Sequence, residues 1–132
     1  MTRMQMAFGG LVLAQAAHSV EEYVGRLWES FPPAQFLTGL ISQDLRQGFL
    51  VINVLLVAFG VWCFFWPMCR QWKSAVGLAW LWVGIELING IGHPLWSLSQ
   101  LDYTPGLITA PLLLITALYV ASLLRSAEQT GA

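Results

Sequence analysis

The chain has 132 residues, 57% of them hydrophobic and only 10% charged, with a formal net charge of −1. That balance excludes an ordinary water-soluble domain and leaves room for a single integral membrane domain, 1–132, whose first partner is the lipid bilayer. No basic cluster exists to hold a polyanion, so nucleic acid is excluded as a partner.

A helix rises about 1.5 Å per residue, so roughly 20 residues cross the hydrocarbon core. Four segments reach that length: Gln5 to Trp28, Leu45 to Trp66, Trp72 to Trp96 and Gly106 to Leu124. The predicted fold is an all-α bundle of four transmembrane helices. At the start, Arg3, the apolar run Met6 to Ala14 and the stretch Ala14-Gln15-Ala16-Ala17 have the outline of a signal peptide with its cleavage site. The apolar stretch runs on into a His/Glu motif, which favours an uncleaved first helix. The first loop holds Phe31-Pro32-Pro33 and Thr38-Gly39, which break helices and leave space for a short interfacial segment. The loop around Pro67 to Gln71 is very short and predicts an antiparallel pairing of the second and third helices. Asp102-Tyr103-Thr104-Pro105-Gly106 places Pro and Gly as a turn requires. Cys63 and Cys69, six apart with no neighbouring His, form a poor metal motif and are read as structural.

Four spans place the N-terminus, the second loop and the C-terminus on one side, with Arg3, Arg70, Lys73 and Arg125. The opposite side carries only Arg26 and Arg46. Cytoplasmic loops hold the excess of Lys and Arg, so both termini are expected in the cytoplasm and the location is a multi-pass cell-membrane protein. Trp66 and Trp72 then fall at the inner interface, with Trp28, Trp96 and Tyr103 at the outer one.

Ionisable side chains within a span cost several kcal/mol and face the bundle interior as functional groups. Five are present. His18, Glu21 and Glu22 lie on the first helix, within about 100° of arc at 100° per residue. Glu86 and His93, with Asn89 between them, lie on the third within about 60° on the same reckoning. Counted from Trp28, Glu21 and Glu22 sit about 10 Å below the outer interface and His18 about 15 Å. Counted from Trp96, Glu86 sits about 15 Å down, Asn89 about 10 Å and His93 about 5 Å. The two stripes therefore meet in the outer half of the bilayer. Asn53 and Thr109 reach the same layer. Ordinary hydrogen bonding between helices accounts for each of these two singly, and interfacial anchoring accounts for Tyr103. A plain Glu-His contact joining two helices is the blander account of the whole cluster, yet structural glue rarely uses three carboxylates and two imidazoles.

His18-Ser19-Val20-Glu21-Glu22 reads H-x-x-E-E, and it is followed by Asn89-Gly90-Ile91-Gly92-His93 and Tyr103-Thr104-Pro105-Gly106. With these three blocks the chain resembles the HXXEE family of small bacterial integral membrane proteins. The resemblance implies that His18, Glu21, Glu22, Asn89 and His93 belong to the family signature. It implies no activity.

The residues support three functional expectations. The first is an enzyme performing acid-base chemistry on an apolar, lipid-like or isoprenoid-like small-molecule substrate, with no cofactor assigned to it. Burial and crowding would keep one of Glu21, Glu22 and Glu86 protonated as an acid, with His18 or His93 as base, in an isomerisation, cyclisation or epoxide opening. Its catalytic set is His18, Glu21, Glu22, Glu86, Asn89 and His93, and its substrate contacts are Asn53, Tyr103, Thr109 and Trp82. The second is a divalent metal site built from His18, Glu22, Glu86 and His93, although the spacing does not match the Glu-x-x-His pairs of di-metal bundles. The third is a proton or cation pathway. Its inner half offers mainly Trp, Phe and aliphatic residues, so a homodimer would have to complete it.

Overall fold

The computed structural model describes residues 1–130, of which 81% are helical, with no strand among them. Six α-helices follow one another: α1 (Arg3–Val24), α2 (Leu27–Ser30), α3 (Pro32–Gly39), α4 (Leu45–Cys63), α5 (Ala75–Gln100) and α6 (Ala110–Thr130). Thr2 and Gln5 start α1 with a capping box, each side chain bonding the other's backbone N–H. Asp44 caps α4 by accepting from the N–H groups of Arg46 and Gln47. A carboxylate at that point satisfies orphan amides and faces the positive end of the helix dipole.

Among the described residues, three helices are long and apolar enough to cross a membrane, Leu45–Met68, Ala75–Gln100 and Ala110–Gln129, rather than the four expected. The first of them includes a π-helical turn, Phe64–Met68, that continues α4. Pro67 has no N–H to give to the usual acceptor, and the ladder resumes with the wider Cys69-to-Phe64 bond at 2.9 Å. Helix α1 is long enough to cross, but Gln5, Gln15, His18, Ser19, Glu21 and Glu22 lower its apolar character. Of these, Gln15, His18, Ser19 and Glu22 are buried, so the polarity lies inside the bundle.

Helix α1 packs between α4 and α6, and α5 packs on α6. The expected close pairing of α4 with α5 is replaced by a wider one. They meet through large side chains, Phe59 stacked on Trp82 at 5.9 Å, because Gly60 makes room for the indole. The core around them contains Phe8, Leu11, Val12, Trp82, Val83, Val120 and Leu124. Outward-facing residues such as Leu13, Val20, Leu55, Ile88, Leu95 and Ile115 are exposed and apolar, a surface suited to lipid.

Away from that core, α4 and α5 leave a gap that α2 and α3 roof over. Leu27, Trp28 and Ala34 pack on Phe49 of α4, with Phe31 and Tyr23 beside them. Trp28, expected as an interfacial anchor, is buried here against Phe49 with ring centroids 5.1 Å apart. Gly48 allows this docking: a Cβ at that position would overlap the Thr38 carbonyl. Phe36 and Leu37 of α3, and Leu40 and Ile41 just after it, are exposed. The short interfacial segment expected in this loop is therefore an amphipathic lid.

Candidate functional site

Helix α1 supplies His18 and Glu22 one turn apart, and α5 supplies His93 across from them. Glu22 Oε1 lies 3.3 Å from His18 Nε2 and 3.1 Å from His93 Nε2. The two imidazoles meet edge to face, with centroids 4.6 Å apart and planes at 84°. His18 is fully buried, and Glu22 and His93 nearly so.

The outer nitrogens of both rings are fixed. His93 Nδ1 is 2.8 Å from the carbonyl oxygen of Pro105, which can only accept, so Nδ1 carries a proton. His18 Nδ1 is 2.7 Å from Thr109 Oγ1. That hydroxyl donates to Glu21 Oε2 at 2.5 Å and so accepts from His18. Each imidazole is thus anchored through Nδ1–H and turns Nε2 towards Glu22.

Glu21 faces the other way. Its Oε1 accepts from the Tyr103 hydroxyl at 2.8 Å and the Ile108 amide at 3.0 Å, and its Oε2 from the amide and hydroxyl of Thr109. One carboxylate thereby ties the loop before α6 to α1. Burial first, then the bond to Glu21, pushes the Tyr103 phenol up to about 12, so it stays a donor.

The Tyr103-Thr104-Pro105-Gly106 block is more than a turn. Thr104 pairs with Ser97 of α5, hydroxyl to hydroxyl at 2.6 Å, and donates its amide to the same Ser97 oxygen at 3.0 Å. Pro105 supplies the acceptor for His93. Gly106 has φ +95°, and a Cβ there would overlap the His93 ring and come within 2.9 Å of His18 Cε1. Only glycine fits the backbone and the close approach together.

Glu86 lies beneath this cluster and is fully buried. With the Gln15 amide oriented by its hydrogen bonds, its nitrogen donates to both Glu86 oxygens at 2.8 and 3.0 Å, and its oxygen accepts from Ser19 at 2.9 Å. Asn89 stands one turn on, beside Glu86.

A cavity of about 250 Å³ adjoins the cluster under the lid. Glu22, His93, Asn89, Gln15 and Asn53 give it a polar side, and Phe31, Leu37, Phe49, Ile52, Leu56 and Ile85 an apolar one. Of the expected site residues, Glu22, Asn53, Asn89 and His93 line this space. His18 and Glu86 stand behind it, while Glu21, Tyr103 and Thr109 brace it from the far side. Trp82 packs between Phe8 and Phe59 in the core and does not line the cavity. Gln15, Ser97, Pro105 and Gly106 join the site unforeseen. For the last two the signal was present in the Y-T-P-G block, although their roles depend on a backbone oxygen and an absent side chain.

The family described as "Protein of unknown function with HXXEE motif" matches residues 10–121. The chain belongs to the HXXEE family. No curated protein and no solved structure gives a significant match. The motif His18-x-x-Glu21-Glu22 divides its work between two sides of α1: His18 and Glu22 face His93, and Glu21 holds the start of α6.

Proposed function

We propose that this HXXEE chain is a membrane-embedded enzyme that performs acid-base chemistry on an apolar, lipid-like or isoprenoid-like molecule. The supporting observation is the cavity beside Glu22 and His93, whose opposite wall is aliphatic and aromatic. At about 250 Å³ it is smaller than the range of about 300–1,000 Å³ typical of sites that enclose a whole ligand. It suits the reacting end of a longer molecule whose tail lies in the bilayer. In this reading α1 crosses as a fourth span, its polar residues turned inward, and both termini are cytoplasmic.

Glu22 and His93 are the groups placed to touch substrate. Their Oε1 and Nε2 atoms are 3.1 Å apart, close enough to share a proton. Delivered to an alkene or an epoxide oxygen, that proton starts an isomerisation, cyclisation or ring opening, and the partner takes a proton back as the reaction closes. His18 acts through Glu22 as a positioning residue. Glu86 and Gln15 shape the buried field below. The side chains under the site, among them Phe8, Leu11, Val12 and Trp82, are packed and apolar, which favours a pocket over a transmembrane proton route.

The test is to incubate purified protein in lipid nanodiscs with isoprenoid and other neutral lipid extracts and to follow product by mass spectrometry. The wild type should convert a component of the extract. Glu22→Gln and His93→Ala should each lower the rate at least about 100-fold, the scale of a lost general acid or base, while still eluting as folded protein. Undiminished turnover in both variants would refute the reading.

A further inference from the structure

We infer that His18 Nε2, His93 Nε2 and Glu22 Oε1 bind one divalent transition-metal ion, with zinc preferred, and leave a fourth position open to the cavity. The three atoms come from three side chains and lie within 4.8 Å of one another. Two separations, 3.3 and 3.1 Å, are already close to the edge of a tetrahedron with metal–ligand bonds of about 2.0–2.1 Å, which is about 3.3 Å.

The outward protons strengthen the case. Metal-bound imidazole carries its metal on one nitrogen and gives the other N–H to a carbonyl, carboxylate or similar acceptor. Here His93 gives Nδ1–H to the Pro105 carbonyl, and His18 gives its own to Thr109, which passes the polarity to Glu21. Both neutral rings therefore aim an Nε2 lone pair at a carboxylate oxygen. A single proton placed among three such atoms bridges only two of them. His18 Nε2, in a fully buried residue, faces Glu22 Oε1 at 3.3 Å without the alignment of a hydrogen bond. One cation satisfies all three atoms.

Charge points the same way. Glu22 and Glu86 are both buried, and among the described residues no Lys or Arg is buried with them. A divalent ion held by one carboxylate and two neutral imidazoles leaves a single positive charge, which Glu86 below offsets. Both oxygens of Glu86 are held by Gln15, so it balances the charge and is not a ligand. Two His and one Glu with an open fourth position is a donor set used by catalytic zinc sites. The proposal shares Glu22 and His93 with the enzymatic reading but changes their role: as ligands they no longer pass a proton to substrate, and it rests on that reading only for the use made of the open position beside them.

The experiment strips the full-length, detergent-purified chain with a chelator and titrates it with Zn(II) and, separately, Co(II). The expected result is one equivalent of Zn(II) per chain, a melting temperature that rises with added Zn(II), and the visible absorption of four-coordinate Co(II). His18→Ala and His93→Ala should each weaken binding at least 100-fold, and Glu86→Gln should keep the stoichiometry. Thr109→Val, which removes only the outer anchor of His18, should weaken binding by about 10–100-fold. Less than a tenth of an equivalent in the wild type, with no melting shift and no Co(II) spectrum, would overturn the site even if every variant misfolded. Wild-type affinity in the doubly substituted His18→Ala/His93→Ala chain would overturn it as well. Turnover that depends on Glu22 in a chain that takes up no metal would overturn the metal and leave the acid-base enzyme standing. Stoichiometric zinc without turnover would support the metal and count against the enzyme.

Discussion

Gly106 and Thr109 carry the geometry of the site without touching its cavity, and each makes a sharp prediction. At φ +95° an alanine at 106 adopts a backbone conformation that L-residues avoid, worth about 1–3 kcal/mol, and its Cβ also displaces the His93 ring. Gly106→Ala should therefore lower the melting temperature in detergent and abolish turnover together. A substitution that left both unchanged would mean the two imidazoles are not held as described. Thr109→Val strips Glu21 of one donor and His18 of its acceptor, a loss of about 1–3 kcal/mol for buried polar groups left unpaired. Thr109→Ser keeps the hydroxyl and should restore both stability and activity, which separates the hydrogen bond from the methyl packing. These two positions also show where sequence reading stops. The inward stripes were legible because charge in an apolar helix is costly and therefore conspicuous. The roles of Gly106 and Pro105 were not, since one works by lacking a side chain and the other through a backbone oxygen. Nor could spacing alone separate Glu21 from its neighbour Glu22, which face opposite partners once α6 is in place. Trp82, expected as a substrate contact, packs in the core instead of lining the cavity, since a large ring in a span fits a core as well as a pocket.

At the level of elements, the lid formed by α2 and α3 decides whether the cavity is closed. Its breakers, Pro32, Pro33 and Gly39, were visible in the sequence, but its docking was not, because that depends on the absence of a Cβ at Gly48. Gly48→Val should push Thr38 and with it α3 away from α4. The expected outcome is faster protease cleavage between residues 40 and 44 and loss of turnover, with the melting of the main bundle little changed. Unaltered cleavage would show that α3 does not rest on Gly48. Trp28→Ala tests the same lid from the other side. It removes a large buried side chain against Phe49 and should cost about 3–5 kcal/mol if the lid melts with the bundle, or almost nothing if the lid opens independently. Differential scanning calorimetry distinguishes the two. Helix α1 presents the complementary lesson: its length reads as a span, its composition falls short of one, and the polar residues behind the shortfall are those of the candidate site.

For the molecule as a whole, the proposal of four spans fixes the side on which the site lies. Arg3, Arg70, Lys73 and Arg125 flank one end of the bundle, while Arg26 and Arg46 flank the other. By the bias of basic residues towards the cytoplasm, the first group lies inside. The lid, the Y-T-P-G loop and the His18/Glu22/His93 cluster then belong to the outer half, open to the external leaflet. Helix α1 has the length of a span but not the apolar composition, so the decisive measurement concerns it alone. A fluorescent protein that folds only in the cytoplasm, fused at the N-terminus and in a second chain at the C-terminus, should light up in both. Alkaline phosphatase, active only outside, should be silent at either end but active when inserted in the exposed segment between α3 and α4. Signals on opposite sides for the two termini would mean three crossings, with α1 lying elsewhere. Glu22 would then be cut off from the depth that makes its pairing with His93 necessary. Matched termini would place the His/Glu cluster within the bilayer, the position that the proposed reaction on an apolar substrate requires.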